Sequence, residues 1–137
     1  MARILAIDYG GKRTGLAVTD PQQIIATGLA TIESKQLISY LKKYFLIEAV
    51  ELIIIGLPKN WDDTDTHGTA PAEAAIKKLQ KEFPQIPLKT VDERYTSKMA
   101  KDAMLQMGMK KKDRRIKGNV DIIAATIILQ EYLQSIQ

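Results

Sequence analysis

Residues 4–20 read ILAIDYGGKRTGLAVTD, and this stretch decides the fold. Its apolar run Ile4–Ile7 is closed by Asp8 and then by the pair Gly10-Gly11, the pattern of a buried strand that enters a turn. A second apolar run, Leu16–Val18, follows at the spacing of a β-hairpin. The chain is therefore predicted to begin with two antiparallel strands.

Downstream of the hairpin, strand signals alternate with helix signals. We predict further strands at Ile24–Ile32, Leu52–Gly56 and Leu88–Val91. Four helices are predicted as well. The first is capped by Ser34, the second runs from Thr69 to about Phe83, the third is capped by Thr96 and ended by Gly108, and the fourth runs from Asn119 to Leu133. The order β-β-β-α-β-α-β-α-α predicts the α/β class, with a five-stranded mixed sheet flanked by helices.

Composition excludes several kinds of chemistry. The chain has 137 residues, 45% apolar and 26% charged, so we expect one globular domain over residues 1–137. It contains no cysteine and one histidine, which excludes thiol catalysis, disulfide scaffolds and zinc sites built from these residues. No apolar run approaches the ~20 residues that span a bilayer, and the N-terminus lacks a secretory pattern. We therefore expect a cytoplasmic protein with no membrane partner.

The positive charge of the chain is local. The net charge is +4, and residues 110–117 hold six of the 20 basic residues and one of the 16 acidic residues. The rest of the chain therefore has 14 bases against 15 acids. A basic patch on an otherwise neutral domain favours a polyanionic partner such as nucleic acid, although a solvated charged loop would give the same run.

Asp8 is the first candidate for chemistry, because an acid that follows a buried strand lies where open α/β sheets bind ligands. The segment Tyr9–Gly15 then offers backbone amides and the cations Lys12 and Arg13, which suit a phosphate oxygen. A plain hairpin turn, in which Asp8 is a cap, explains the same residues. Both interpretations stay open at this point.

Two further acidic positions follow the same logic. Asp92-Glu93 comes directly after a predicted strand, ahead of a helix cap at Thr96. Asp121 is predicted in the first turn of the last helix, on its sheet side, whereas Thr126 and Gln130 mark the solvent stripe. A buried carboxylate needs compensation from the helix dipole, from a salt bridge or from a metal ion. The dipole supplies about 0.3–1 kcal/mol, too little for deep burial.

These acids are expected to converge at one sheet edge. A cluster of oxygen ligands suits Mg²⁺ or Mn²⁺ rather than zinc, and such ions activate water and stabilise the leaving oxygen in phosphodiester hydrolysis. The basic run would hold the nucleic-acid backbone. In a loop after the fourth strand, Lys59 and Asn60 are candidates for phosphate contact, and Trp61 either stacks on a base or anchors the loop.

Four ordered motifs resemble those of one known family: residues 8–17, Gly56-Leu57-Pro58, Asp92-Glu93-Arg94 with Thr96-Ser97, and Lys117–Asp121 with the helix that follows. This family is the YqgF family, bacterial ribonuclease H-like proteins described as Holliday junction resolvases and as nucleases that mature the 5′ end of pre-16S ribosomal RNA. One departure is Trp61–Thr64, where the family usually has a glycine.

The resemblance implies a site. Its catalytic and metal-binding residues would be Asp8, Glu93 and Asp121, with Glu93 preferred over Asp92 because its carboxylate reaches further. The candidate nucleic-acid contacts are Lys12, Arg13, Lys59, Asn60, Arg94, Lys110, Lys111, Lys112, Arg114, Arg115 and Lys117.

Three functions remain open at this level. The first is an Mg²⁺- or Mn²⁺-dependent endonuclease on a ribosomal RNA precursor, acting as a monomer or weak homodimer. The second is a resolvase that cuts branched DNA with the same acids, which normally requires a dimer. The third is an RNA-binding assembly factor without turnover, which the basic run and Trp61 alone would support but which leaves Asp121 unexplained.

Overall fold

A computed structural model describes residues 2–57, 69–92 and 117–136. Five strands and three α-helices lie in these ranges. They are β1 Arg3–Tyr9, β2 Arg13–Thr19, β3 Ala26–Glu33, α1 Leu37–Ile47, β4 Val50–Leu57, α2 Thr69–Glu82, β5 Leu88–Asp92 and α3 Lys117–Ser135, with a 3₁₀ turn Ser34–Gln36 before α1. Within these ranges, no helix has the length and apolar character needed to cross a membrane.

The strands form one mixed sheet in the order β3-β2-β1-β4-β5. The meander β1–β2–β3 pairs antiparallel, whereas β1–β4 and β4–β5 pair parallel. The parallel pairs follow from α1, which connects β3 to β4, and from α2, which connects β4 to β5. The ends of β1, β4 and β5 and the start of β2 therefore lie at the same edge of the sheet.

Alternation along each strand divides the core into two layers. On one face, Leu5 and Ile7 of β1 pack with Leu41 of α1 and Leu79 of α2. On the other face, residues one position out of phase pack against α3: Ile4, Ala6, Ala17, Ile54, Ala125, Ile128, Leu129 and Leu133. Each of these side chains is at most 4% exposed. The sheet is thus buried on both sides in its centre, which explains the near-continuous apolar runs of β1 and β4.

Ser34 does not cap α1, which corrects the prediction from sequence. The residue before α1 is Gln36, which makes no side-chain capping bond. The buried Ser34 hydroxyl instead donates to the main-chain oxygen of Gly10 and accepts from the hydroxyl of Thr14 at 2.8 Å. The Ser34 amide also donates to the main-chain oxygen of Lys12 at 2.9 Å. The Ser34 side chain therefore bonds to the β1–β2 turn and the start of β2 rather than to the first turn of α1.

Two other boundaries differ from the prediction. β3 begins at Ala26, and Ile24 and Ile25 before it are 61% and 62% exposed. Here Asp20 accepts hydrogen bonds from both of their amides, so a turn holds them out of the sheet. The last helix begins at Lys117, two residues before the predicted start. The predicted helix at Thr96–Gly108 lies outside the described residues.

Candidate active site

Asp8 lies near the end of β1, on the face covered by α3. Ile4 and Ala6 belong to the α3 layer, and Asp8 is next in that alternation, whereas Tyr9 packs on the opposite layer. Asp8 follows the buried residues Ile4–Ile7, lies at the edge of the sheet, and is itself half-buried. The sequence prediction that Asp8 closes the first strand at this edge is consistent with that position.

Asp121 is held directly over the neighbouring strand because Gly15 has no side chain. Gly15 is the register partner of Asp8 in β2. A Cβ built on Gly15 would overlap the main-chain oxygen of Asp121 and lie 3.0 Å from its Cβ. The start of α3 therefore rests on the backbone of β2, and Asp121 lies beside the strand position opposite Asp8. Two of the three predicted acids are thus brought to one place.

The Asp121 carboxylate is paired with Arg13. Arg13 Nε donates to Asp121 Oδ2 at 3.0 Å, and the two side chains are 40% and 22% exposed. This arrangement corrects one expectation and supports another. The carboxylate is partly rather than deeply buried, and the salt bridge, one of the three compensations considered, is present. Burial of Asp121 therefore gives no independent support for a metal ion.

The helix dipole has little part in stabilising Asp121. With α3 starting at Lys117, Asp121 is its fifth residue, and the first turn holds no acid. The dipole effect falls off within that turn.

The prediction that Thr126 and Gln130 mark the solvent-facing side of α3 is partly wrong. Thr126 is half-buried over Gly28 of β3 and donates to the main-chain oxygen of Ile122 at 2.8 Å. Gln130 is exposed as predicted.

The other predicted site residues fall into two groups. Lys12 is exposed and Arg13 half-buried at the start of β2, on the edge that carries Asp8. The remainder lie outside the described residues or have side chains that are not described there: Lys59, Asn60, Asp92, Glu93, Arg94, Lys110, Lys111, Lys112, Arg114, Arg115 and Lys117. In the described ranges, no three acidic or histidine side chains come together as a metal site.

Two residues at this edge were missed by sequence reasoning. The sequence-based prediction places Gly15 in the segment Tyr9–Gly15 and assigns it no contact with another element, although a glycine inside a strand pattern is a signal of close backbone approach. Lys35 lies beside Lys12 and Arg13 in a cleft at the end of β3. The sequence around Lys35 does not indicate that it lies near Lys12 and Arg13, because the pairing of β2 with β3 brings these distant segments together.

The comparisons with known proteins cover nearly the whole chain. A family model named RuvX and described as Holliday junction resolvase matches residues 2–135. A protein of Christiangramia forsetii named "Putative pre-16S rRNA nuclease" is 51% identical over 133 residues, which is 97% of this chain and 98% of the relative. A protein of Phocaeicola vulgatus with the same name is 52% identical over 135 residues, 98% of this chain and 97% of the relative.

Two solved structures share the fold. RuvC of Thermus thermophilus in complex with a Holliday junction substrate superposes with a TM-score of 0.61, at 14% identity over 98% of this chain and 96% of that chain. A second structure of T. thermophilus RuvC gives a TM-score of 0.56, at 13% identity over 97% and 96% of the two chains. The predicted ribonuclease H-like sheet is confirmed, and the chain belongs to the RuvX (YqgF) family.

Proposed function

We propose that this protein is a divalent-metal-dependent endonuclease that hydrolyses phosphodiester bonds near the 5′ end of pre-16S ribosomal RNA. The observation that carries the proposal is that Asp8 is the register partner of Gly15 and that Asp121 packs against Gly15, at the same edge of the sheet. Relatives about 50% identical over nearly the full chain are named "Putative pre-16S rRNA nuclease". We take residues 1–137 as one cytoplasmic nuclease domain, monomeric or weakly dimeric.

The donor set at this edge fits Mg²⁺ or Mn²⁺. Both described acids offer carboxylate oxygens, the ligands these hard cations prefer, and the chain has no cysteine. We propose Glu93 as the third ligand, because it stands two residues beyond Val91, whose side chain packs in the α3 layer. When bound, the cations would supply an activated water and stabilise the leaving oxygen.

The chain's own residues would then position the substrate. Arg13 uses Nε to hold Asp121, and a guanidinium has further N–H groups that suit a phosphate oxygen. Lys12, one residue before it, is exposed. The basic residues of 110–117, with Lys59, Asn60 and Arg94, are proposed to follow the nucleic-acid backbone further out.

A resolvase acting on branched DNA is the second candidate. The family description and the fold shared with RuvC favour it. The same acids would serve both reactions, so the active site does not separate them. The third candidate, a binding protein without turnover, would need no acids at this edge.

The deciding experiment offers purified protein two substrates in Mg²⁺: a transcript with the precursor 5′ end of 16S ribosomal RNA, and a four-way DNA junction. We expect endonucleolytic cleavage of the transcript, with kcat/KM at least about tenfold higher than for the junction, a difference of about 1.4 kcal/mol in transition-state stabilisation. Faster cleavage of the junction would favour the resolvase, and binding without cleavage of either would favour the binding protein.

A further inference from the structure

A cationic cleft lies next to the candidate active site. It has a volume of about 470 Å³ and is lined by Gly11, Lys12, Arg13, Glu33 and Lys35. Three of these five residues are cations and one is an acid. The cleft separates the β1–β2 turn from the end of β3, and Arg13 is common to the cleft and to the ion pair with Asp121.

The two walls of the cleft are held in a fixed relation. Arg13 and Glu33 are register partners across β2 and β3. Ser34, buried behind the cleft, joins the walls through its bonds to Gly10 and Lys12 on the turn and to Thr14 on β2. The cations are therefore presented by a rigid backbone, which lowers the cost of ordering them around a ligand.

The cations of the cleft are available to a ligand. In the described ranges Lys12 makes no ion pair. Lys35 pairs with Glu33 at 3.4 Å, but the two side chains are 80% and 60% exposed, and pairs of this kind contribute little. A Cβ on Gly11 would meet nothing within 4 Å, so the turn stands open to an approaching group.

We propose that this cleft binds a backbone phosphate of the nucleic acid, next to the bond that is cut, and that Lys35 is one of its contacts. The inference rests on the proposed function in taking nucleic acid as the ligand. A phosphodiester carries one negative charge, which matches a cleft where Glu33 and Asp121 already balance part of the cationic charge. Because Arg13 lines the cleft and also pairs with Asp121, this phosphate would lie near the candidate active site.

The test measures RNA binding without divalent metal, so that cleavage plays no part. The probe is a fluorescently labelled hairpin RNA, and its affinity is followed by anisotropy over a range of salt concentrations. For Lys35→Ala we expect affinity to fall about three- to tenfold, and the slope of log K against log salt to become shallower by about 0.7–0.9, the effect of one lost phosphate contact. Lys43→Ala, at an exposed lysine of α1 outside the cleft, is expected to match wild type.

The outcomes separate this inference from the proposed function. Lys35→Ala with the affinity and slope of Lys43→Ala would overturn the cleft, even if the protein cuts its transcript. A shallower slope in Lys35→Ala would support the cleft even if no cleavage is found, and the nuclease proposal alone would then fail. Lys35→Arg is expected to restore the slope, because it keeps the charge that the contact needs.

Discussion

Asp8→Asn is expected to reduce cleavage of the precursor transcript by at least about 100-fold, because it removes one of the anionic ligands proposed to hold the divalent cation. A bound cation contributes several kcal/mol of transition-state charge stabilisation, and 1.36 kcal/mol corresponds to a factor of ten. Asparagine has nearly the size of aspartate, so the packing of β1 against α3 is retained. Single-turnover cleavage in Mg²⁺ gives the rate, and RNA binding measured alongside is expected to change little.

Glu73→Gln is the matched control, since it neutralises an exposed acid of α2. It is expected to cleave at the wild-type rate. Wild-type cleavage by Asp8→Asn would remove Asp8 from the active site. If Asp8→Asn lost both cleavage and RNA binding while its unfolding free energy stayed normal, the sheet edge that carries Asp8 would have a role in binding RNA rather than in cleavage.

Gly15→Ala is expected to destabilise the fold by about 1–3 kcal/mol, the range for overpacking a close contact. The added Cβ overlaps the main-chain oxygen of Asp121, and neither a strand backbone nor a helix backbone is free to rotate away. The start of α3 must therefore lift from β2. The free energy of unfolding from urea titration measures the effect.

The same displacement is expected to lower cleavage in the fraction that remains folded, because Asp121 moves with α3. Gly11→Ala provides the control, since its Cβ would meet no atom within 4 Å. It is expected to leave stability within about 0.5 kcal/mol of wild type. Equal unfolding free energies for the two variants would show that α3 does not approach β2 as closely as the structure indicates.

The architecture was predictable because its signals are local. Ile4–Ile7 and Leu52–Gly56 are apolar runs bounded by acids or glycines, and each lies inside the observed strand β1 or β4. Helix α2 was also anticipated closely, with Thr69 at its start and its end one residue before Phe83. The mixture of antiparallel and parallel pairing followed from the hairpin and from the helical connections that parallel pairing requires.

The errors at Ser34 and Asp121 came from contacts between distant segments. Serine is a residue type that often caps helices. The Ser34 hydroxyl instead forms hydrogen bonds with the Thr14 hydroxyl and the main-chain oxygen of Gly10, which are distant in the sequence. The Arg13–Asp121 ion pair joins residues 108 positions apart, and the sequence around either residue does not predict the pairing. The prediction of a deeply buried Asp121 failed for the same reason, because helical periodicity gives a face but not the depth to which the helix end is covered.

Binding of Mn²⁺ tests the central claim most directly, which is that acids from distant parts of the chain share a divalent cation. Titration followed by the EPR signal of free Mn²⁺ is applied to wild type, Asp8→Asn and Asp121→Asn, with Glu131→Gln as an exposed control on α3. We expect saturable binding by wild type and by the control, and at least about tenfold weaker binding by each Asp variant. Wild-type affinity in both Asp variants would contradict the account.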